Sequence, residues 1–489
     1  MKYDLKVEGK GLMKQNSNSR MRRIAVTLAL AGAASMSLPA HATNWLKLQG
    51  TQPPGVTAHA KFWGFIQPGY ARTPGTELPT MKGGAKGLSG TRPNFNNIGP
   101  NQTSSNTFSL RRARIGVRGS VTPLSNNIDY FFLAEFGNNA LSGSRGYHPV
   151  ITDASVTFNQ LKEFVRFRLG LFKIPGAPEE GLQGIPMLPY VNFDSVTNQL
   201  ILERFVNAET AGDCWDPATG NLGSKTKGCG IPVASGGVYS SVNGLGAFRD
   251  KGLMAFNWFR RGPWELTYGV MIGNGSAIDR LDTNNNKDIN GRLQVSYIFG
   301  NSKGPYRSDI TGLVWYQNGD RAFNGRSYHR TRMGFGGMGR TGFMRPGAIR
   351  ASAEYMFGKG MIFAGAPFRS TGINSTKQPV TMFPGDNNGG RGFYVEGAVF
   401  ATHHIQLEAR YDQYDRLFND PQNERMFRTG TLGVQYFFNP HARVTLNYAI
   451  NSLDVQNPGA IPAGAKRDNA LAVANSFDNR LDLQVTLIF

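Results

Sequence analysis

The chain has 489 residues, with 53 Lys and Arg against 33 Asp and Glu and a formal net charge of +20. Past the amino-terminal region no apolar run reaches the roughly twenty residues that a membrane helix needs, which sets a helical membrane protein aside. A mean hydropathy of −0.33 beside 11% aromatic residues and 61 glycines suits a chain that alternates apolar and polar side chains and so hides its membrane character in the average.

Residues 1–20 are polar, and Met21 is the expected initiator. Met21-Arg22-Arg23, the apolar run 24–38 and Ala40-His41-Ala42 make the charged start, apolar middle and small-residue exit of a secretory signal peptide. The expected division is a signal peptide over 1–42, an amino-terminal extension over 43–58 and one domain over 59–489. An exported chain without a membrane helix can still cross a bilayer as a closed barrel, because closure satisfies every backbone group. Export also removes nucleic acid as a partner for the basic excess, leaving small anionic solutes, membrane lipids and lipopolysaccharide phosphates.

Period-2 segments separated by turn residues predict sixteen strands. They lie near 59–70, 108–121, 127–137, 149–159, 164–174, 250–260, 264–273, 289–299, 308–318, 347–357, 361–366, 391–401, 404–415, 427–437, 442–452 and 478–489. Short links such as 122–126, 160–163, 261–263 and 438–441 alternate with long ones such as 71–107, 175–249, 319–346 and 453–477. The fold class expected is therefore all-β: a transmembrane antiparallel barrel of about sixteen strands with short periplasmic turns and long extracellular loops. Cys214 and Cys229 are the two cysteines, both in the Gly-rich part of the 175–249 link, and an oxidising compartment predicts a local disulfide between them.

The alternation assigns faces. In the second strand Ala113, Ile115 and Val117 point to lipid while Arg112, Arg114 and Arg118 point into the bore. The fifth sets Val165, Phe167, Leu169 and Leu171 against Arg166 and Arg168. Later strands turn Arg292, Arg350, Arg410 and Arg443 inward. The last twelve residues place Leu481, Leu483, Val485, Leu487 and Phe489 on one face and Arg480, Asp482, Gln484 and Thr486 on the other. An Arg at the lipid midplane costs roughly 2–4 kcal/mol, so these charges belong inside. Asp129, Glu135, Asp153, Glu354, Glu396 and Glu408 are expected in the same bore, where they can neutralise some of the arginines. Aromatics near strand ends, Phe164, Trp264, Tyr297, Phe299, Tyr436, Phe437 and Phe489, suit interfacial girdles. A basic cluster over 320–345, with Arg321, Arg326, Arg330, Arg332, Arg340 and Arg345, is expected in an outer loop facing lipopolysaccharide.

Several segments resemble the phosphate-selective porin O and P family. They include Arg111-Arg112-Ala113-Arg114-Ile115-Gly116-Val117-Arg118-Gly119, Glu135-Phe136, Asp153-Ala154 and Leu169-Gly170-Leu171-Phe172-Lys173-Ile174-Pro175. Arg249-Asp250-Lys251-Gly252, Gly273-Asn274-Gly275, Gly392-Phe393-Tyr394-Val395-Glu396-Gly397 and Ala409-Arg410-Tyr411-Asp412 continue the likeness in the same order. The resemblance implies a trimeric sixteen-stranded channel for small anions, with the loop after the fifth strand folded inward as a constriction.

The functional expectation is a porin passing small, phosphate-like anions, with Arg112, Arg114, Arg118, Arg166, Arg168, Arg292, Arg350, Arg410 and Arg443 along the path. A weakly selective or other-substrate channel and a structural envelope barrel are the alternatives. No catalytic residue, cofactor or metal is expected. No His pairs with a Ser in a hydrolytic pattern. The stretch 282–288 has calcium-loop spacing, but Lys287 stands where the turn needs Gly and Leu293 where a Glu is required.

Overall fold

Alternation of apolar and polar residues gives each strand one greasy and one wet face, and the chain satisfies both by rolling into a cylinder. The computed structural model closes sixteen antiparallel strands into one barrel. It describes residues 60–489 apart from 75, 84–85, 87–88, 91–105, 122–123, 126, 138–148, 203, 207–214, 217–220, 223–237, 246–247, 279–281, 283–284, 301–305, 324–325, 366–378 and 384. The expected leader, extension and Cys214–Cys229 disulfide lie outside the described residues.

The wall consists of β1 (Lys61–Arg72), β2 (Asn106–Ser120), β3 (Ile128–Glu135), β4 (Val150–Phe158), β5 (Arg166–Lys173), β6 (Arg249–Arg261), β7 (Trp264–Gly273) and β8 (Asp288–Phe299). It continues with β9 (Ser308–Phe323), β10 (Arg326–Thr341), β11 (Ile349–Lys359), β12 (Gly389–Phe400), β13 (Ile405–Arg416), β14 (Arg425–Asn439), β15 (Ala442–Asp454) and β16 (Arg480–Ile488). The first and last strands meet. Phe65 stands opposite Ile488 and Tyr70 opposite Leu483, and Gly64 and Phe489 exchange both backbone hydrogen bonds at 2.8 and 2.9 Å.

Two expectations need correction, and their errors cancel in the strand total. The segment 361–366 leaves the wall: Ile362–Gly365 pairs with Pro379–Phe383 in a small sheet that also holds Val238–Leu245 and Arg204–Val206. Its neighbours Ile362 and Phe363 are both buried, so the run is apolar on two faces, unlike a wall strand. The stretch 319–346, expected as an outer loop, instead extends β9 and supplies β10. The two strands pair from Ser308 opposite Thr341 to Phe323 opposite Arg326. The basic cluster placed in that loop is dispersed accordingly: Arg330 and Arg332 are buried in the bore, and Arg340 binds Asp309 at 3.0 and 3.1 Å.

Face assignment otherwise follows the alternation. Along β8 Leu293, Val295, Tyr297 and Phe299 are exposed while Arg292, Gln294 and Ser296 are buried, and β13 and β15 repeat the pattern. Leu171 keeps its outward position but is covered by Val150 and Ile278. Leu293→Arg puts a guanidinium near the midplane of the lipid face and should destabilise the folded barrel by about 2–4 kcal/mol. Denaturant unfolding in lipid vesicles measures it; no change would mean that this face meets something other than acyl chains. Outward aromatics ring the short-turn edge, with Trp264 packed on Tyr297 at 4.9 Å and Tyr297 on Phe299 at 5.0 Å. Phe437 departs from that expectation and turns into the bore, 2% exposed.

The buried apolar cluster lies inside the cylinder. After β5 the chain turns inward, and the segment 174–202 is almost wholly buried. Its Phe193, Val196 and Leu200 pack with Met254, Phe256, Trp315, Met356, Tyr394, Tyr414 and Phe427 of the wall. A Cβ on Gly392 would come within 2.5 Å of Val196 Cγ2, so that glycine leaves room for the segment.

Candidate functional site

The candidate site is the bore, which the wall builds by turning every second residue inward. The nine arginines expected there all lie on inward positions, but they do different work. Arg166 sits at the short-turn end, bonded to Asn159 at 3.0 Å and to Asn257, with its guanidinium 3.9 Å from the Trp258 ring centre. Arg168 is buried between the Phe172 and Phe256 rings and donates to Thr157 Oγ1 at 3.3 Å. Arg118 faces inward near the same rim, in register with Lys61.

On β2 three guanidinium groups crowd together. Arg114 Nε donates to Glu135 at 2.7 Å, and Arg112 donates to the Gln67 amide oxygen at 3.0 Å. Arg111 joins them because the β1–β2 register shifts at Gln67/Pro68. Proline has no N–H for the ladder, and the resulting bulge gives β2 an extra residue, so two adjacent arginines are both buried. Sequence reading missed Arg111. The readable signal was a proline inside the strand that pairs with an Arg-Arg dipeptide.

Arg292 and Arg410 hold the inward segment. Arg292 donates to Ala177 O at 2.9 Å and to Glu179; Arg410 donates to Glu180 Oε1 at 2.8 Å and Asn192 O at 3.0 Å. The two glutamates occupy a single helical turn, Glu179–Leu182. Burial pushes the Glu180 carboxyl toward its protonated form and Arg410 pulls it back, while Asp194 adds to the upward push; the net direction is up. Further bonds run from Val191 N to Asn447 at 2.8 Å, from Asn192 to Asp482 at 2.8 Å and from Ser195 N to Asp412 at 2.9 Å. Arg332, also missed from sequence, donates to the carbonyl oxygens of Leu200, Lys359, Gly360 and Met361 at 2.8–3.1 Å. Asp194 Oδ1 accepts from Val196 and Thr197 N–H at 2.8 and 2.9 Å and sets the turn that follows.

Arg350 and Arg443 share a cavity below the segment, toward the short turns. Arg350 donates to Glu396 at 2.6 Å, and Arg443 donates to Leu188 O at 2.5 Å. The family-like residues outside these groups staple the wall. Arg249 grips Asp153 Oδ2 at 2.9 and 3.0 Å, and Asp250 accepts from Gly275 N at 2.5 Å. Glu135 also accepts from Ala113 N at 2.9 Å and Gly137 N at 2.8 Å.

A closed sixteen-stranded wall, greasy outside and charged within, places the chain in the class of outer-membrane β-barrels. Within that class, the family model described as phosphate-selective porin O and P matches residues 93–181, from just before β2 to the glutamates of the inward segment. The resemblance read from the sequence therefore holds over that stretch. Solved structures similar to this chain include an anion-selective porin from Comamonas acidovorans, at 12% identity over 88% of this chain and 99% of that one, TM-score 0.46. The outer membrane channel DcaP of Acinetobacter baumannii matches at 11% identity over 90% and 99%, TM-score 0.44. Salmonella typhi OmpF, in complex with daunomycin, matches at 13% identity over 88% and 97%, TM-score 0.46. A comparison with curated protein sequences found no match.

Proposed function

We propose that the barrel passes small anions, phosphate-like solutes among them, by passive diffusion through a bore narrowed by the segment 174–202. The observation that carries this reading is the partnering of the arginines. Among the described residues, Arg112 and Arg443 hydrogen-bond only to neutral oxygens, those of Gln67 and Leu188, and neither makes a direct ion pair. Positive charge between low-dielectric walls concentrates anions, and guanidinium forks suit phosphate and carboxylate oxygens. Several moderate sites conduct better than one tight one. The nine arginines named from the sequence are proposed as this pathway, with Arg350 open to solute, Arg112 and Arg443 charging the bore from buried positions, and Arg292 and Arg410 shaping it. The family resemblance also implies a homotrimer, which a mass measurement in detergent tests.

A weakly selective mixed-charge bore is the second reading. It is favoured by the ion pairs Arg114–Glu135, Arg350–Glu396 and Arg410–Glu180. Glu408, held by the neutral donors Gln435 and Asn447 at 2.7 and 3.0 Å, also favours it. Reversal potentials in planar bilayers under a salt gradient separate the two. The expected sign is that of an anion channel, added phosphate should reduce chloride current, and Arg350→Glu with Arg443→Glu should move the potential toward the cation side. A cation-signed potential in the unaltered protein would end the first reading.

A further inference from the structure

We infer that the short-turn mouth of the bore holds a subsite for organic anions with an apolar body, such as a carboxylate on an aromatic or cyclic frame. This rests on the anion-channel reading and names a substrate class for it. Phe400 and Phe437 occupy inward positions on β12 and β14 with ring centres 5.5 Å apart. Phe343, from the turn 342–348, meets both edge-on, at 5.4 and 5.3 Å. That turn is backbone-strained: Met344, a residue with a full side chain, takes φ 49°, beside Gly342 at 122° and Gly347 at 77°. The turn carries Phe343 onto the inward rings at this rim, with the exposed Tyr306 also in ring contact at 6.1 Å.

The three rings line one cavity on the wet side of the barrel with charge next to it: Phe343 is half-buried, and Phe400 and Phe437, each 2% exposed, form its apolar backing. The Arg443 guanidinium carbon lies 5.6 Å from the Phe437 ring centre, and the buried Arg443 Nε has no hydrogen-bond partner among the described residues. Arg350, its side chain 26% exposed, lines the same cavity as Arg443 and the three rings. A carboxylate placed there accepts from the Arg350 fork within the field of the Arg443 charge, while its ring packs on Phe343. Phosphate or acetate could use the arginines only. The apolar half is what separates this subsite from a general anion path.

The test uses the purified full-length barrel in planar bilayers, with chloride current titrated by benzoate, cyclohexanecarboxylate or acetate from the short-turn side. Benzoate and cyclohexanecarboxylate should half-block at concentrations about tenfold lower than acetate, the gain expected from burying a ring against aromatic side chains. Phe343→Ala should bring the three acids within about twofold of one another, and Arg443→Gln should weaken all three. Should Phe343→Ala fail to insert, Phe437→Leu removes a ring with a smaller loss of volume and reads the same ratio. Equal block by benzoate and acetate in the unaltered protein, or a ratio unmoved by the phenylalanine variants, overturns the subsite. The reversal potential recorded in the same membranes tells that failure from failure of the anion reading: an anion-signed potential with no benzoate preference sinks the subsite alone, and a cation-signed one sinks both.

Discussion

Arg410→Ala should cost the folded barrel roughly 2–4 kcal/mol, at the lower end of what breaking a buried ion pair costs because water in the bore can enter the vacated space. Arg410 and Glu180 are both buried and stand 2.8 Å apart, and the same guanidinium holds Asn192 O at 3.0 Å. Removing it strands Glu180 and Asp412 without their cation and frees the middle of the inward segment. Glu180 can then take a proton, so the deficit should shrink as pH falls. Thermal unfolding in detergent gives the stability change, and single-channel traces should turn noisy as the segment samples new positions. A quiet channel with an unchanged melting temperature would mean that the pair does not anchor the segment.

Removing residues 183–201 and joining the ends with a short glycine linker should raise single-channel conductance several-fold. A sixteen-stranded wall encloses a wide aqueous lumen unless something enters it, and here the segment crosses from Lys173 on β5 to Arg443 on β15 and Arg332 on β10. Every wall strand keeps its neighbours, so the cylinder should still close. Met356, Tyr394 and Tyr414 lose their apolar cover, however, and the melting temperature should drop with the area exposed. Discrimination between anions and cations should fall together with the rise in current, since field strength depends on a narrow passage. Conductance equal to that of the intact channel would place the narrowest point elsewhere.

The wall was legible because a two-residue period is a local signal and each strand repeats it. It failed where local chemistry masked the period. β10 reads Arg326-Ser327-Tyr328-His329-Arg330-Thr331-Arg332-Met333-Gly334-Phe335-Gly336-Gly337-Met338-Gly339-Arg340-Thr341, and glycines occupy much of both faces in its second half, so little apolar stripe remains to be read. Trp315 explains one of them: a Cβ on Gly334 would lie 2.6 Å from its indole ring. The inward course of 174–202 was suggested by loop length and family likeness, whereas its anchors were not. Glu179 and Glu180 serve as the acidic ends of two cross-bore clamps. Which arginines are spent on such clamps depends on contacts between residues hundreds of positions apart, and no spacing rule carries that information. The inward swing of Phe437 was equally hidden, because strand-end aromatics suit either face.

The meeting of β1 with β16 sets the order of assembly. Partners in that seam, Phe65 and Ile488, are separated by nearly the whole polypeptide, and loop-closure entropy makes such pairing slow. Until it forms, both margins of the sheet carry unpaired N–H and C=O groups able to recruit a neighbouring molecule. Biogenesis therefore has a vulnerable interval that lasts until the final strand arrives and the naked margins close on each other.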